Sequence, residues 1–199
     1  TTAGGIETST TLAAPTSAST ITAGKVAVNI TGSISADSII GGLGADTITG
    51  GTGVDTISAG TGNDTINVTT TLLDGNDSID GGDGTDTLAI TGSFANATDA
   101  KIVNVENVTI NGTSLAVDLT GQTEGFNIKI TATTGDTVTG SNGADSITGS
   151  DIADSIVGGS GADTLIGGAG ADTLIGGVGS DNLTGGLGVN TFLFAPGDS

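Results

Sequence analysis

Aspartate recurs every nine residues along much of this chain, a beat that no helix face and no alternating strand produces. Asp37, Asp46, Asp55 and Asp64 stand nine apart, and two places after each comes an apolar residue: Ile39, Ile48, Ile57 and Ile66. After a four-residue insertion the pattern resumes with Asp77 and Ile79, then Asp86 and Leu88. A second series runs through Asp136, Asp145, Asp154, Asp163, Asp172 and Asp181, and Asn190 takes the next place. Its apolar partners are Val138, Ile147, Ile156, Leu165, Leu174, Leu183 and Phe192. Short fixed periods mark chains of stacked units, none of which buries its apolar residue alone.

Each unit has room for a three-residue strand whose middle side chain points inward. The other six residues must reverse the chain. A stretch such as Gly41-Gly42-Leu43-Gly44-Ala45-Asp46 does so with glycines, which accept positive φ and let backbones approach closely. Two such half-turns close one rung of about 18 residues. The expected fold is therefore all-β, a parallel β-helix solenoid with a narrow aliphatic core and no helix.

Five regions follow from the pattern. Residues 1–31 form a Thr/Ser/Ala-rich lead-in that ends in an alternating strand, Lys25 to Ile30. Residues 32–88 are the first array. Residues 89–134 lack the glycine loops, yet strand signals at 107–110, 115–119 and 126–130 keep nearly the same spacing, as expected of a β-helical spacer. Residues 135–194 are the second array, and 195–199 a tail. With no initiator Met and no charged-plus-apolar leader at Thr1, the sequence reads as a fragment whose targeting and surface-attachment segments lie outside it.

Charge narrows the partners. Only Lys25, Lys101 and Lys129 oppose 22 acids, and a net charge of -19 repels nucleic acid and anionic membranes. No apolar run is long enough for a transmembrane helix. Without Cys or His there are no disulfides, no thiolate or imidazole metal sites and no Cys or His to act as nucleophile or base, and the regular acids are committed to loops, so no enzyme is expected. Cations remain. Stacking sets Asp46 near Asp64, and Asp163 near Asp181, at a strand spacing of roughly 4.8 Å, where carboxylates repel unless a cation lies between them. Calcium suits such loops because it takes six to eight oxygens, carboxylate and carbonyl alike, whereas magnesium demands a tighter octahedron. The competing reading is a metal-free solenoid in which Asp side chains merely bond their own turns. Ile40, Val157, Ile166, Ile175 and Leu193, in the ninth position, are expected to face outward and offer a surface to another chain.

The glycine frame Gly-Gly-x-Gly-x-Asp-x-U-x, with U a large apolar residue, begins at Gly41, Gly50, Gly81, Gly158, Gly167, Gly176 and Gly185. In it the chain resembles the RTX (repeats-in-toxin) proteins exported by bacterial type I secretion. The resemblance implies a right-handed parallel β-roll that holds several Ca²⁺ ions between loops. Carried onto this sequence, the metal-binding positions are Gly42, Gly44 and Asp46; Gly51, Gly53 and Asp55; Gly60, Gly62 and Asp64; Asp77; Gly82, Gly84 and Asp86; Asp145; Asp154; Gly159, Gly161 and Asp163; Gly168, Gly170 and Asp172; Gly177, Gly179 and Asp181; and Asn190. Asp74, Asp80 and Asp83 are candidate additional ligands. The loops ending at Asp37, Asp136 and Asp154 depart from the glycine pattern, and Asn190 supplies a neutral group.

Within that family, the Thr/Ala/Gly/Ser/Asn bias and the long spacer look most like a bacterial surface-layer (S-layer) protein of the Caulobacter type. Such a protein is structural and extracellular; it folds on calcium outside the cell and self-associates into a lattice. The alternatives are the C-terminal secretion and folding module of a type I secreted hydrolase or toxin, and an adhesin extender.

Overall fold

The structure, a computed structural model, describes residues 11–13, 17–68, 77–95 and 101–194. Most of the lead-in before Ser17, the insertion with Asp74, and the tail 195–199 lie outside the described residues. Among those described there is no α-helix. The chain forms two compact units, residues 1–89 with 99–106, and residues 90–98 with 107–199.

Strands are numbered in chain order. In the first unit one parallel sheet runs β1 (Thr11–Ala13), β3 (Asn29–Thr31), β5 (Thr47–Thr49), β7 (Thr65–Val68) and β9 (Thr87–Ile90). The other runs β2 (Thr20–Thr22), β4 (Ser38–Leu43), β6 (Thr56–Thr61), β8 (Ser78–Asp83) and β11 (Ile102–Val103). The second unit repeats the plan. One sheet holds β12 (Asn107–Ile110), β14 (Asn127–Ile130), β16 (Ser146–Thr148), β18 (Thr164–Ile166) and β20 (Asn182–Thr184). Its companion holds β10 (Phe94–Ala95), β13 (Ala116–Asp118), β15 (Thr137–Thr139), β17 (Ser155–Ser160), β19 (Thr173–Val178) and β21 (Thr191–Leu193). Successive strands alternate between sheets, so each unit is a parallel β-solenoid with one turn of chain separating paired strands.

Register fixes the rung. Ile48 lies opposite Ile30 and Ile66, and Leu165 opposite Ile147 and Leu183. Equivalent aspartates in the arrays sit 18 residues apart; the spacing widens to 22 across the four-residue insertion. A β-branched or aliphatic residue at every inward position builds single-file columns: Ile30, Ile48, Ile66 and Leu88 in one sheet, and Val138, Ile156 and Leu174 in another, all at most 0% exposed. Removing one member leaves a void that its stacked neighbours cannot fill from the side. Ile128→Ala, in β14, should therefore lose about 2 to 5 kcal/mol, read as a lowered thermal midpoint at fixed calcium.

The strands differ from expectation in one respect. In β4, β6, β8, β17 and β19 they do not stop at three residues but extend through the glycine loop to six. Gly42, Gly60 and Gly82 pair in a row, as do Gly159 and Gly177. Positive φ at these glycines, 105°, 112° and 92° along the first row, turns the backbone without breaking the ladder.

At the edge of its sheet, β21 places Phe192 in register with Leu174 as the repeat requires, but Phe192 stays 40% exposed because no described strand lies beyond it. Of the ninth-position residues, Ile40, Ile166 and Leu193 face outward, while Val157 and Ile175 are half-buried.

Candidate metal sites

From Asp37 to Asp172 the repeats turn their aspartates inward, while Asp181 is half-buried. Asp46, Asp55, Asp64, Asp86, Asp163 and Asp172 are all at most 1% exposed, an unusual place for a carboxylate. What holds them is a ladder of hydrogen bonds running between turns. The backbone N–H of Val28 donates to Asp46 Oδ1 at 2.8 Å, that of Asp46 to Asp64 Oδ1 at 2.7 Å, and that of Asp64 to Asp86 Oδ1 at 2.7 Å. Asp37, Asp55 and Asp77 form a second such row in the first unit. In the second unit Asp145, Asp163 and Asp181 form one, and Asp136, Asp154, Asp172 and Asn190 another, the N–H of Asp172 donating to Asn190 Oδ1 at 3.0 Å. Asn190 can take this place because the ladder asks only for one acceptor oxygen.

The partner of each aspartate is thus a full turn away, and not two residues on as in an ordinary Asx turn. The first row also ends on a residue that the nine-residue count passed over: Asp86 N–H donates to Glu106 Oε2 at 2.8 Å. Glu106 with Val108 two places later preserves the acid-x-apolar signal, which was legible in the sequence once Glu is allowed to stand for Asp.

With Oδ1 committed, the second oxygen decides the chemistry. Oδ2 of Asp46, Asp64, Asp136, Asp163 and Asp172 is buried and accepts no hydrogen bond. Leaving a buried ionised oxygen unsatisfied is costly, and a metal ion is one way to satisfy it. Desolvation pushes the carboxyls of Asp46 and Asp163 up from 3.8 to about 6; the donated N–H groups offset this in part, and the charges of Asp64 on the one, and of Asp145 and Asp181 on the other, add to it. Burial likewise raises Asp64, Asp86, Asp136, Asp145 and Asp172.

The glycines explain themselves against these oxygens. A Cβ on Gly41 would stand 2.6 Å from Asp46 Oδ2, and one on Gly50 2.7 Å from Asp55 Oδ2, so the first glycine of the frame leaves room for the carboxylate. Gly44, Gly53, Gly62, Gly84, Gly161, Gly170, Gly179 and Gly188, fourth in the frame, all have positive φ, as do the second-position glycines. At Gly60, Gly62, Gly82, Gly84, Gly177 and Gly179, a Cβ would strike the carbonyl of the matching glycine one turn earlier. Loop carbonyls of successive turns are therefore stacked at close range beside the aspartate rows.

Among the described residues no three acidic side chains meet at one point. The donor set is instead a buried carboxylate oxygen with stacked carbonyls, all hard oxygen, which fits calcium and not zinc or copper. Gly42, Gly44, Asp46, Gly60, Gly62 and Asp64 would hold ions in the first unit, with Gly159, Gly161, Asp163, Gly177, Gly179 and Asp181 as their counterparts in the second. Asp80 is engaged elsewhere, accepting from Asn104 Nδ2 at 2.8 Å.

A family model described as the RTX calcium-binding nonapeptide repeat (4 copies) matches residues 31–66, 73–89, 131–165 and 157–192, more than half of the chain. No curated protein matches the chain.

Proposed function

On the premise that this chain belongs to the RTX calcium-binding nonapeptide repeat family, whose repeats bind several calcium ions per domain and are typical of secreted proteins, we propose that it is the structural calcium-binding domain of a secreted bacterial surface-layer protein, one that folds on calcium outside the cell and assembles into a lattice. The observation that carries the calcium half is the set of buried Oδ2 atoms without a hydrogen-bond partner. Extracellular calcium sites bind at about 10⁻⁴ to 10⁻³ M, so such loops stay empty in a calcium-poor cytosol and fill outside.

Support for the lattice comes from the outer surface. Ile34, Leu43 and Val54 in the first unit, and Val178, Leu187 and Val189 in the second, are large apolar side chains left between 46% and 84% exposed. A chain with 22 acids and three lysines has ample polar material for solubility, and bridging calcium would neutralise repulsion between acidic copies. Among the described residues no helix is long and apolar enough to cross a membrane. Catalysis has no part in this reading.

Negative-stain microscopy of the calcium-loaded protein tests it. Ordered two-dimensional sheets are expected. Isolated particles would favour instead a folding module of a secreted hydrolase or toxin, and fibres an adhesin extender.

A further inference from the structure

Three aspartates in these rows have their second oxygen bonded within their own loop, and those three loops share one substitution. In the loops ending at Asp37, Asp145 and Asp154 the second residue of the frame is serine: Ser33, Ser141 and Ser150. Each serine sets its N–H and its hydroxyl against the Oδ2 of its own loop's aspartate. Ser33 gives N–H at 2.6 Å and Oγ at 2.8 Å to Asp37, and Ser150 gives 2.8 and 2.9 Å to Asp154; Ser141 gives N–H at 2.6 Å to Asp145, while its Oγ stands 3.0 Å from the same Oδ2 and 2.6 Å from the Glu124 carbonyl oxygen. The hydroxyl then accepts from the fourth residue of the loop, from Ser35 N–H at 3.0 Å, Gly143 N–H at 3.0 Å and Ile152 N–H at 3.3 Å. All three serines are buried.

The backbone differs as well. The glycine loops carry positive φ at both the second and fourth positions, whereas none of the serine loops does at either, although the fourth residue of one of them, Gly143, is a glycine. Absence of glycine is not the cause of the closed carboxylate. The loop ending at Asp136 has Ala132 in the second position and no positive φ, and its Oδ2 remains unbonded. The hydroxyl makes the difference.

We propose that Ser33, Ser141 and Ser150 decide which loops take metal: each seals its aspartate inside the loop with a hydroxyl and an N–H, so that Asp37, Asp145 and Asp154 close their turns without a cation while the glycine loops bind calcium. This rests on the calcium reading of the glycine loops. Two of the positions read from sequence as metal-binding, Asp145 and Asp154, become metal-free staples. Their place in the chain gives them a use: Ser33 sits in the first loop of the first array, and Ser141 and Ser150 precede the unbroken glycine frames that begin at Gly158. The first array then begins on a turn whose carboxylate needs no ion, and two such turns precede the glycine frames of the second, a template on which calcium-dependent turns stack.

Native mass spectrometry of the whole chain at millimolar calcium tests this. Ser141→Gly restores the full frame Gly-Gly-Asn-Gly-Ala-Asp, and is expected to bind an additional ion relative to wild type. Asp145→Asn should leave the count unchanged, whereas Asp172→Asn should lower it. Should Ser141→Gly lose its β-sheet circular dichroism, the two aspartate variants decide. An unchanged count in a folded Ser141→Gly, or an ion lost in Asp145→Asn, overturns the inference while leaving calcium binding intact; a wild type that binds no calcium overturns both.

Discussion

Calcium removal is expected to abolish most of the β-sheet circular dichroism of this chain at neutral pH, and millimolar calcium to restore it. The reason lies in the aspartate rows. Carboxylates one strand spacing apart, roughly 4.8 Å, repel by about 3 kcal/mol per pair at an effective dielectric near 20. Several such pairs exceed the ~5 to 15 kcal/mol by which a domain is stable. Protons also neutralise these oxygens, which gives the expectation a sign in pH. Folding raises Asp46 and Asp163 from 3.8 to about 6, so the metal-free fold binds more protons than the unfolded chain between those values. Its stability is greatest below about 4 and is lost as pH rises through about 6. In chelator, lowering the pH from 7 to about 4.5 should therefore recover β signal, while in limiting calcium the same step should displace the ion. A chelated protein with its full β signal at pH 7 contradicts the account.

Gly60→Ala should be severely damaging to the first unit. Gly60 lies in β6 at φ 112°, paired with Gly42 on one side and Gly82 on the other. An added Cβ would collide with the Gly42 carbonyl oxygen and stand 2.9 Å from its nitrogen and 3.0 Å from its carbonyl carbon. These are backbone atoms inside a ladder and cannot swing aside. The left-handed conformation alone costs alanine about 1 kcal/mol or more, and relief of the collision breaks a rung. A loss of about 3 kcal/mol or more is expected, a fall of roughly 12 °C or more in the thermal midpoint at saturating calcium. A midpoint within a degree or two of wild type would show that these loops are not close-stacked.

The parts of the fold legible in the sequence were those that a fixed period determines. Ile48, Ile66, Leu165 and Leu174 fall on the nine-residue beat, and all are buried, because in a solenoid the period is itself the tertiary contact. The 18-residue rung follows from two half-turns, and the registers agree with it in both arrays. Extension of β4 and β17 through their glycine loops was not legible: pairing at positive φ depends on the same glycines lying in the next turn, which strand periodicity does not register. Phe192 kept its inward register but not its burial, since burial needs a following strand.

The candidate sites were legible as positions and not as bonds. Aspartate at the sixth place announced a carboxylate in every loop, yet its first partner is an N–H some 18 residues away, beyond any local turn rule. Glu106 was missed because the count followed Asp alone. Gly-Ser in place of Gly-Gly looked like mere degeneracy of the motif at Ser33 and Ser150 and went unremarked at Ser141; only the placement of the serine against Oδ2 distinguishes a lost site from a closed one.

The central claim is that glycine loops hold calcium through the aspartate oxygens left unbonded inside the solenoid, and counting ions per chain measures it most directly. Native mass spectrometry of wild type at millimolar calcium should show about four ions or more, shed together as chelator is added. A folded chain carrying one ion or none would contradict it.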